Sequence, residues 1–238
     1  MTEGSAKPTR LREATARQAI AAVIPAYNEQ AHIADVVRRT RDKIDNVLVV
    51  DDGSSDATAE CARAAGAEVI VHPQNRGKGE AIKTGLRLWL DRQVEWVLIL
   101  DADGQHRPEE IDRFVAAADA SAGARLILGS RMNDLSSMPL VRRVVNRYMS
   151  RKISRVCGQR IPDTQCGFRM VHRELIPDLL NGAERFEYET EMLIVASRKG
   201  LRISSVPIST LYSDEVSSIH PLRDTIRFFK LMRRYKKL

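Results

Sequence analysis

The sequence has no long hydrophobic run, and its longest apolar stretches have only the length of a strand. A helix that spans a bilayer needs about 20 apolar residues in a row, whereas the strongest run here, Trp96–Leu100, is far shorter. Residues 1–17 are polar and lack the apolar stretch of a signal peptide. We therefore expect neither a membrane-spanning helix nor a secretory leader.

Cysteine is also scarce. The three cysteines, Cys61, Cys157 and Cys166, cannot all pair with one another, and none belongs to a CxxC motif. No group of cysteines and histidines has the spacing of a zinc site, and no repeat or low-complexity linker interrupts the chain. These absences favour reduced thiols and a cytoplasmic protein, with peripheral attachment to the cytoplasmic membrane face left open.

The net charge of +7 is distributed unevenly along the 238 residues. Segment 141–160 carries +7, segment 222–238 carries +6 and residues 1–17 carry +2, so the rest of the chain carries −8. An acidic body of this kind would repel a nucleic acid, and no nucleic-acid partner is expected. The length is sufficient for one large α/β domain, or at most two small ones, with a proper core, and the 43% of hydrophobic residues excludes a disordered or fibrous chain.

Short apolar runs alternate with helical patterns over the first two thirds of the chain. Strands are predicted at Ile20–Ile24, Asn46–Val50, Glu68–Val71, Trp96–Leu100 and Leu126–Leu128. Helices are predicted at Glu29–Arg41, from Ser55 or Asp56 to Ala65, at Gly77–Leu90 and from Pro108 to about Ala122. Pro25 is expected to stop the first strand. This alternation predicts an α/β fold with a mainly parallel sheet flanked by helices.

The later third continues the same domain with a less regular pattern. Helices are predicted at 142–157 and 191–199 and from Leu222 onward, with strands at the end of 163–172 and at 203–206. We expect a flexible segment at 1–17, one domain at 18–221 and a basic amphipathic helix at 222–238.

Asp101 and Asp103 follow a buried strand with one residue between them. Ligands of parallel sheets bind beyond the carboxyl ends of the strands, and two carboxylates there can hold a divalent cation with positions open for phosphate oxygens. Gln105 would add a third oxygen ligand. The alternative is a solvated turn that caps the helix at Glu109.

Two further polar clusters follow the first two strands. Asp51 and Asp52 could accept hydrogen bonds from a base or a ribose, Tyr27 could stack on a base, and Glu29 could reach the ribose. The alternatives are a capped turn, a loop aromatic and an acid in the first turn of a helix. Gly77-Lys78-Gly79 is too short for a dinucleotide-binding GxGxxG motif.

The order of the motifs resembles that of the family 2 inverting glycosyltransferases with the GT-A fold, a Rossmann-like fold. The segments are PAYNE at 25–29, VVDDGS at 49–54, NRGKG at 75–79, DADGQH at 101–106 and GSR at 129–131. Within that family, DADGQH and the later DTQCGFR at 163–169 are most similar to dolichyl-phosphate mannose synthase and related polyprenyl-phosphate glycosyltransferases. The similarity runs from about residue 18 to 210.

The resemblance implies a donor site for a GDP- or UDP-linked sugar. The residues implied to contact this donor are Pro25, Tyr27, Glu29, Asp51, Asp52, Arg76, Lys78, Asp101, Ala102 and Arg131. Asp101, Asp103 and Gln105 would bind Mg²⁺ or Mn²⁺ together with the diphosphate. Arg131 would contact a phosphate of the donor or of the acceptor.

The family mechanism inverts the anomeric centre without a covalent enzyme intermediate, and Asp103 and Asp163 are the catalytic residues that the resemblance implies. Asp163 matches an acid near the acceptor. A lipid-phosphate acceptor is already anionic, so Asp163 would then only orient. A hydroxyl acceptor needs a base within hydrogen-bond reach, for which Asp163, Glu187 and Glu189 are candidates.

The two basic segments have helix-like apolar spacing, which is typical of helices that lie on an anionic bilayer. The alternative is a helix packed on the domain with a solvated basic face. The leading hypothesis is a metal-dependent inverting transferase that moves a sugar onto a polyprenyl phosphate. A transferase acting on a hydroxyl of a glycan or small molecule is the second, and a non-catalytic nucleotide-binding or membrane-scaffold module is the third.

Overall fold

One seven-stranded sheet forms the centre of the computed structural model, which describes residues 19–120, 123–132, 138, 140–183, 187–209 and 235. Its strands are β1 Ile20–Ala26, β2 Asn46–Asp51, β3 Glu68–Val71, β4 Trp96–Ile99, β5 Ala124–Ser130, β6 Arg169–His172 and β7 Arg202–Pro207. The spatial order is β3-β2-β1-β4-β6-β5-β7. All neighbouring pairs are parallel except those that β6 makes with β4 and β5. The predicted α/β fold with a mainly parallel sheet is confirmed.

Helices cover both faces of this sheet. Those among the described residues are α1 Ile33–Arg41, α2 Thr58–Ala64, α3 Lys78–Asp91, α4 Ile111–Ala120, α5 Leu140–Cys157, α6 Ile176–Leu179 and α7 Glu187–Arg198. Short 3-10 turns precede α4 and α6. Alternate residues of β1 enter opposite cores: Val23 packs with α3 and α7 residues, whereas Ile24 packs with α1 and α4 residues. Burial on both faces explains why the central strands are continuous apolar runs.

Pro25 does not stop the first strand, so that prediction is wrong. β1 continues to Ala26, and Pro25 lies opposite Val50 in the register with β2. The Ala26 carbonyl accepts from Asp52 N on the β2 side. Backbone groups of alternate residues face opposite neighbours, so the missing N–H of Pro25 faces β4, whose pairing with β1 ends at Val23. A proline is tolerated there because no ladder bond is lost.

Helix α1 begins at Ile33, four residues after its predicted start at Glu29. The intervening residues form a turn in which the Glu29 carbonyl accepts from His32 N and Ile33 N. Asn28 has φ 56°, a left-handed conformation that an asparagine tolerates. Helix α7, in contrast, begins at Glu187, ahead of the predicted Glu191. Both shifts matter because these helix starts border the candidate site.

The reversed direction of β6 brings its first residue to the carboxyl edge of the parallel strands. Arg169 lies opposite Ile99 of β4 and Leu128 of β5. The preceding loop, 163–168, therefore reaches the same edge as the turns that follow β1, β2 and β4.

The predicted segment at 1–17 and the predicted helix at 222–238 lie outside the described residues, apart from Tyr235. The Tyr235 hydroxyl donates to Glu191 Oε1 of α7 (2.5 Å), and its carbonyl accepts from the Arg198 guanidinium (2.8 Å). Tyr235 is thus in contact with the domain. Within the described part of the chain, no helix is both long enough and apolar enough to cross a bilayer.

Candidate active site

Three polar turns meet at the carboxyl edge of the sheet, as the sequence predicts. The turns after β1 and β2 are joined directly, because Asn28 N donates to Ser54 Oγ (2.9 Å). Helix α3 starts at the same edge, and its first residue, Lys78, places its Nζ 2.7 Å from Asp101 Oδ1 in the turn after β4. The edge therefore brings the Asp101 carboxylate against the Lys78 ammonium group.

The turn after β4 carries the two acids of the DADGQH motif. Burial alone would raise the pKa of Asp101, but the Lys78 ammonium and His106 outweigh it and hold this pKa well below its usual range. Burial and the negative charge of Asp101 raise the pKa of Asp103. Asp103 Oδ1 accepts from Gln105 N (3.0 Å), and Ala102 between the acids is buried. The two carboxylates therefore destabilise each other's ionised form.

This pair fits a hard divalent cation. Carboxylate and amide oxygens are the ligands that Mg²⁺ and Mn²⁺ prefer, and a cation between Asp101 and Asp103 would relieve the repulsion that raises the pKa of Asp103. Among the residues that the structure describes, no three His, Cys, Asp or Glu side chains form a metal cluster. Asp101, Asp103 and Gln105 would therefore need further oxygens from a ligand or from water.

Asp52, a predicted contact of the nucleoside, is hydrogen-bonded within the protein and is not left free for a ligand. It is 3% exposed, its Oδ1 accepts from Arg76 N (2.9 Å) and its Oδ2 from Gly77 N (2.6 Å). Oδ1 also lies 2.7 Å from His72 Nδ1, and His72 Nε2 lies 3.0 Å from Thr84 Oγ1. These bonds direct Asp52 to the loop that precedes α3. Sequence reasoning missed His72, since a lone histidine at the end of a strand has no distinguishing pattern.

Asp51, the other acid of this turn, closes the turn itself. Its Oδ1 accepts from Ser54 N (2.9 Å) and Ser54 Oγ (2.5 Å). Gly53 follows the two acids with φ 76°, and a Cβ there would come within 2.7 Å of the Gln74 backbone. The turn after β2 and the loop before α3 are thus packed too closely for any residue but glycine.

The turn after β1 presents an aromatic ring. Tyr27 is 47% exposed, which leaves its ring accessible for stacking. Glu29 N donates to Thr58 Oγ1 (2.8 Å), which fixes the backbone of Glu29 against α2. Pro25 is buried within β1. Of the three residues, Tyr27 is therefore the one most open to a ligand.

Lys78 links the acidic turn to α7. Its Nζ lies 2.7 Å from Asp101 Oδ1 and 3.0 Å from Glu189 Oε1. Burial would lower the pKa of Lys78, but these two carboxylates raise it above its ordinary value, so the ammonium is charged at neutral pH. Arg76 is more exposed and pairs with Glu80 within α3 (3.1 Å).

Arg131 and Asp163 form a bidentate ion pair in which the carboxylate is buried and the guanidinium is partly buried. Arg131 Nε donates to Asp163 Oδ2 (2.8 Å), and the Arg131 Nη2 donates to Oδ1 (3.0 Å). Asp163 also accepts from the Arg131 and Gln165 amides (both 3.2 Å) and is 1% exposed. The predicted acceptor-side acid therefore holds the arginine at the end of β5.

Two contacts on Asp101 come from residues without a predicted role. His106 Nε2 lies 3.7 Å from Asp101 Oδ2, and its ring stacks at a tilt on Phe168 with centroids 5.4 Å apart. A Cβ on Gly167 would lie 2.3 Å from Asp101 Oδ2. Both residues stand in the quoted motifs, but only the structure brings them together.

The chain is similar in sequence to known glycosyltransferases. The profile of the family described as Glycosyl transferase family 2 matches residues 21–180. The UDP-N-acetylglucosamine–dolichyl-phosphate N-acetylglucosaminyltransferase of Methanococcus voltae is 31% identical, over 81% of this chain and 85% of that protein. Glycosyltransferase AglJ of Haloferax volcanii is 34% identical, over 92% and 72%. An undecaprenyl-phosphate 4-deoxy-4-formamido-L-arabinose transferase of Klebsiella pneumoniae is 33% identical, over 79% and 58%.

Solved structures share the fold. Glucosyl-3-phosphoglycerate synthase of Mycobacterium tuberculosis in complex with UDP superposes with a TM-score of 0.71 at 24% identity, over 91% of this chain and 80% of that one. The same enzyme with Mn²⁺, UDP and glucosyl-3-phosphoglycerate gives a TM-score of 0.67 at 23% identity, over 95% and 82%. The sheet, the ordered acidic turns and the matched profile lead to one conclusion: this chain is a glycosyltransferase and belongs to glycosyl transferase family 2.

Proposed function

We propose that this enzyme transfers a sugar from a nucleoside-diphosphate sugar to a polyprenyl phosphate, with inversion and with the help of a divalent cation. The observation that carries the proposal is the pair of carboxylates, Asp101 and Asp103, at the end of a buried central strand. The names of two relatives, which state dolichyl phosphate and undecaprenyl phosphate, support the acceptor class.

The donor would lie along the carboxyl edge, between the exposed ring of Tyr27 and the acidic turn after β4. Asp101, Asp103 and Gln105 would hold Mg²⁺ or Mn²⁺, which as a Lewis acid would neutralise the charge on the leaving diphosphate. Mn²⁺ and UDP occur together in a solved structure of the same fold. Asp51 and Glu29 remain the proposed polar contacts of the nucleoside.

The transfer step needs no proton from the protein when the acceptor is a phosphate. An anionic phosphate oxygen of the acceptor bonds to the anomeric carbon on the face opposite the diphosphate. The bond from that carbon to the diphosphate oxygen breaks, and the nucleoside diphosphate leaves with the electron pair. Arg131, fixed by Asp163, is well suited to orient a phosphate group.

The contacts of the candidate bases favour this acceptor over a hydroxyl. Asp163 is buried and receives hydrogen bonds on both oxygens, and Glu189 is bound to the Lys78 ammonium. A general base needs an oxygen within hydrogen-bond reach of the proton that it removes, and the oxygens of these two carboxylates already bind cationic groups of the protein. The arrangement of Asp163 suits the orienting role.

Helix α5 supplies a candidate contact with an anionic membrane. Leu140, Val144 and Tyr148 are 72%, 67% and 51% exposed and recur every four residues along one face of the helix. Arg151 and Lys152 are exposed in the following turn. Apolar side chains flanked by bases are typical of helices that lie in the interface of an anionic bilayer. We propose that the enzyme is peripheral at the cytoplasmic face.

The donor half of the proposal is tested by calorimetry with GDP- and UDP-linked sugars in the presence of Mn²⁺. Binding of one of them is expected, and Asp103→Ala should abolish both Mn²⁺-dependent binding and turnover. Asp45→Ala, which removes an exposed acid at the opposite edge of the sheet, is the matched control. Absence of binding by wild-type protein would refute the donor assignment.

The acceptor half is tested by offering a short polyprenyl phosphate with a radiolabelled donor. A lipid-linked product partitions into organic solvent, whereas a sugar linked to a small hydroxyl acceptor stays in water. Transfer only to a hydroxyl acceptor would overturn the lipid assignment, and so would tight donor binding without any transfer to the polyprenyl phosphate.

The membrane contact is tested by sedimentation with phosphatidylglycerol vesicles. Replacing Arg151 and Lys152 by glutamate should weaken sedimentation, whereas Arg63→Glu, an exposed substitution on α2, should leave it unchanged. Equal sedimentation of all three proteins would refute the role of α5.

A further inference from the structure

Arg169 is the largest fully buried side chain among the residues that the structure describes, with 0% exposure. It is the first residue of β6, and its neighbours in the sheet are the central strand β4 and strand β5. Of the residues that the structure describes, no carboxylate forms an ion pair with it. A buried charge of this kind is costly unless polar groups surround it, so the groups that it does contact are informative.

Those groups are three backbone carbonyls. Nε donates to the Cys166 carbonyl (2.8 Å) and Nη2 to the Thr164 carbonyl (3.2 Å), while Nη1 donates to the Glu189 carbonyl. The first two belong to the loop before β6 and the third to the first turn of α7. The rigid fork of a guanidinium can bind three diverging acceptors at once. Arg169 thus fastens two separate segments to the end of the sheet.

The first segment leads directly to Asp101. Gly167 lies between Cys166 and Phe168, and its Cα faces the Asp101 carboxylate so closely that a Cβ would be 2.3 Å from Oδ2 and 2.8 Å from Oδ1. The backbone of the loop therefore packs directly against this carboxylate and limits its orientation. Because Arg169 binds the Thr164 and Cys166 carbonyls, it fixes the position of this loop backbone.

The second segment leads to Asp101 through Lys78. Arg169 binds the backbone of Glu189, and the side chain of Glu189 holds the Lys78 ammonium (3.0 Å). Lys78 in turn lies 2.7 Å from Asp101 Oδ1. One oxygen of Asp101 is thus reached through the loop and the other through α7.

We propose that Arg169 is a positioning residue for the metal–donor site, which orients the Asp101 carboxylate through the 164–167 loop and through Glu189 and Lys78. The inference rests on the proposed function, since it takes Asp101 as a ligand of the cation. Arg169 is fully buried and bound to three backbone carbonyls, so it would act on the affinity for the cation through backbone position and not by direct contact.

The test measures Mn²⁺ affinity by electron paramagnetic resonance titration of the full chain in the presence of UDP, and separately of GDP. Residues that orient metal ligands typically change metal affinity by 10–100-fold, so Arg169→Gln is expected to weaken Mn²⁺ binding at least tenfold. Arg169→Lys should not rescue it, because an ammonium cannot reproduce a planar fork aimed at three carbonyls.

Gly167→Ala tests the first route with little risk to folding. The added Cβ meets a carboxylate at the end of a short side chain, so rotation of Asp101 is the easiest relief, and at least tenfold weaker Mn²⁺ binding is expected. Gly85→Ala is the matched control, since its Cβ would lie 2.5 Å from Val23 Cγ2 in the core, away from the site. It should lower stability while the folded protein keeps wild-type Mn²⁺ affinity.

The outcomes separate the inference from the proposed function. If wild-type protein binds no Mn²⁺ with either nucleotide, the proposed function fails and the inference fails with it. If wild-type protein binds Mn²⁺ while Arg169→Gln and Gly167→Ala bind it within twofold of wild type, only the inference is refuted. If the Arg169 variants do not fold, the Mn²⁺ affinities of Gly167→Ala and Glu189→Gln test the inference instead. Gly167→Ala tests the route through the 164–167 loop, and Glu189→Gln tests the route through Lys78.

Discussion

Replacing Asp52 by asparagine should destabilise the protein, because this carboxylate is an internal acceptor. Asparagine keeps the shape of the side chain but turns one acceptor oxygen into an NH₂ donor. Asp52 Oδ1 accepts from Arg76 N and lies against His72 Nδ1, while Oδ2 accepts from Gly77 N. In the better of its two orientations, the amide oxygen takes the place of Oδ1, and the NH₂ group then faces the Gly77 N–H.

The expected loss follows from these three contacts. The bond to Gly77 N disappears, and a hydrogen bond to a charged group contributes about 1.5–3 kcal/mol. The two remaining bonds lose their charge assistance, which accounts for about half the strength of such bonds. Together these changes predict a decrease of about 3 kcal/mol in the free energy of unfolding of Asp52→Asn.

Urea unfolding measures this decrease as a lower midpoint at an unchanged slope. Asp45→Asn, at an exposed position, should leave the midpoint where it is. A loss below about 1 kcal/mol in Asp52→Asn, accompanied by weaker nucleotide binding, would refute the reasoning and restore Asp52 as a direct ligand of the nucleoside.

Three further predictions concern other parts of the molecule. Burial raises the pKa of Cys166 to about 12 and also raises the pKa of Cys157. A thiol reagent at pH 8 should therefore modify only Cys61 quickly in native protein and all three cysteines after unfolding; two fast native thiols would contradict this. The hydrogen bond from Arg39 lowers the pKa of Glu109 to about 2 from 4.5, so the stability from this pair is present above pH 4.5 and is lost as the pH falls towards 2. The pair is partly exposed and contributes less than about 1 kcal/mol. Urea unfolding at pH 6 and pH 3 should therefore show a smaller loss of unfolding free energy on acidification in Glu109→Gln than in wild-type protein. Lys78→Met should cost about 2 kcal/mol in the same assay, because two half-buried carboxylates lose their shared cation; an unchanged midpoint would show that the ion pairs contribute no net stability.

The sheet could be predicted because its signals are local. The buried strands β2 and β4 are continuous apolar runs, and Gly66 ends α2 with φ 95°, as a glycine after a helix commonly does. The errors occurred where a distant partner decides the outcome. Pro25 continues a strand because its neighbour β4 leaves that position unpaired, and residue types alone do not record where a neighbouring strand ends.

The same distinction applies to the candidate site. The convergence of the turns follows from the rule for parallel strands, and the structure confirms it. The internal bonds of Asp52 could not be predicted, because two of its partners are backbone amides, which every non-proline residue has. The partners of Arg169 are likewise backbone carbonyls, which every residue has, so the types of the residues that it binds do not indicate its role.

The charges of the site explain why a cation would matter for an anionic donor. Among the described residues around Asp101 and the Arg131–Asp163 pair, four carboxylates face three cations: Asp101, Asp103, Asp163 and Glu189 against Lys78, Arg131 and Arg169. With all seven ionised, the group is net negative, and its cations are already engaged with carboxylates or carbonyls. A nucleoside diphosphate entering alone would add negative charge to a negative, half-buried site, where Coulomb repulsion is screened less than in water. A divalent cation reverses the sign of the site, and this charge balance gives the pair of acids after β4 a physical reason to bind metal and donor together.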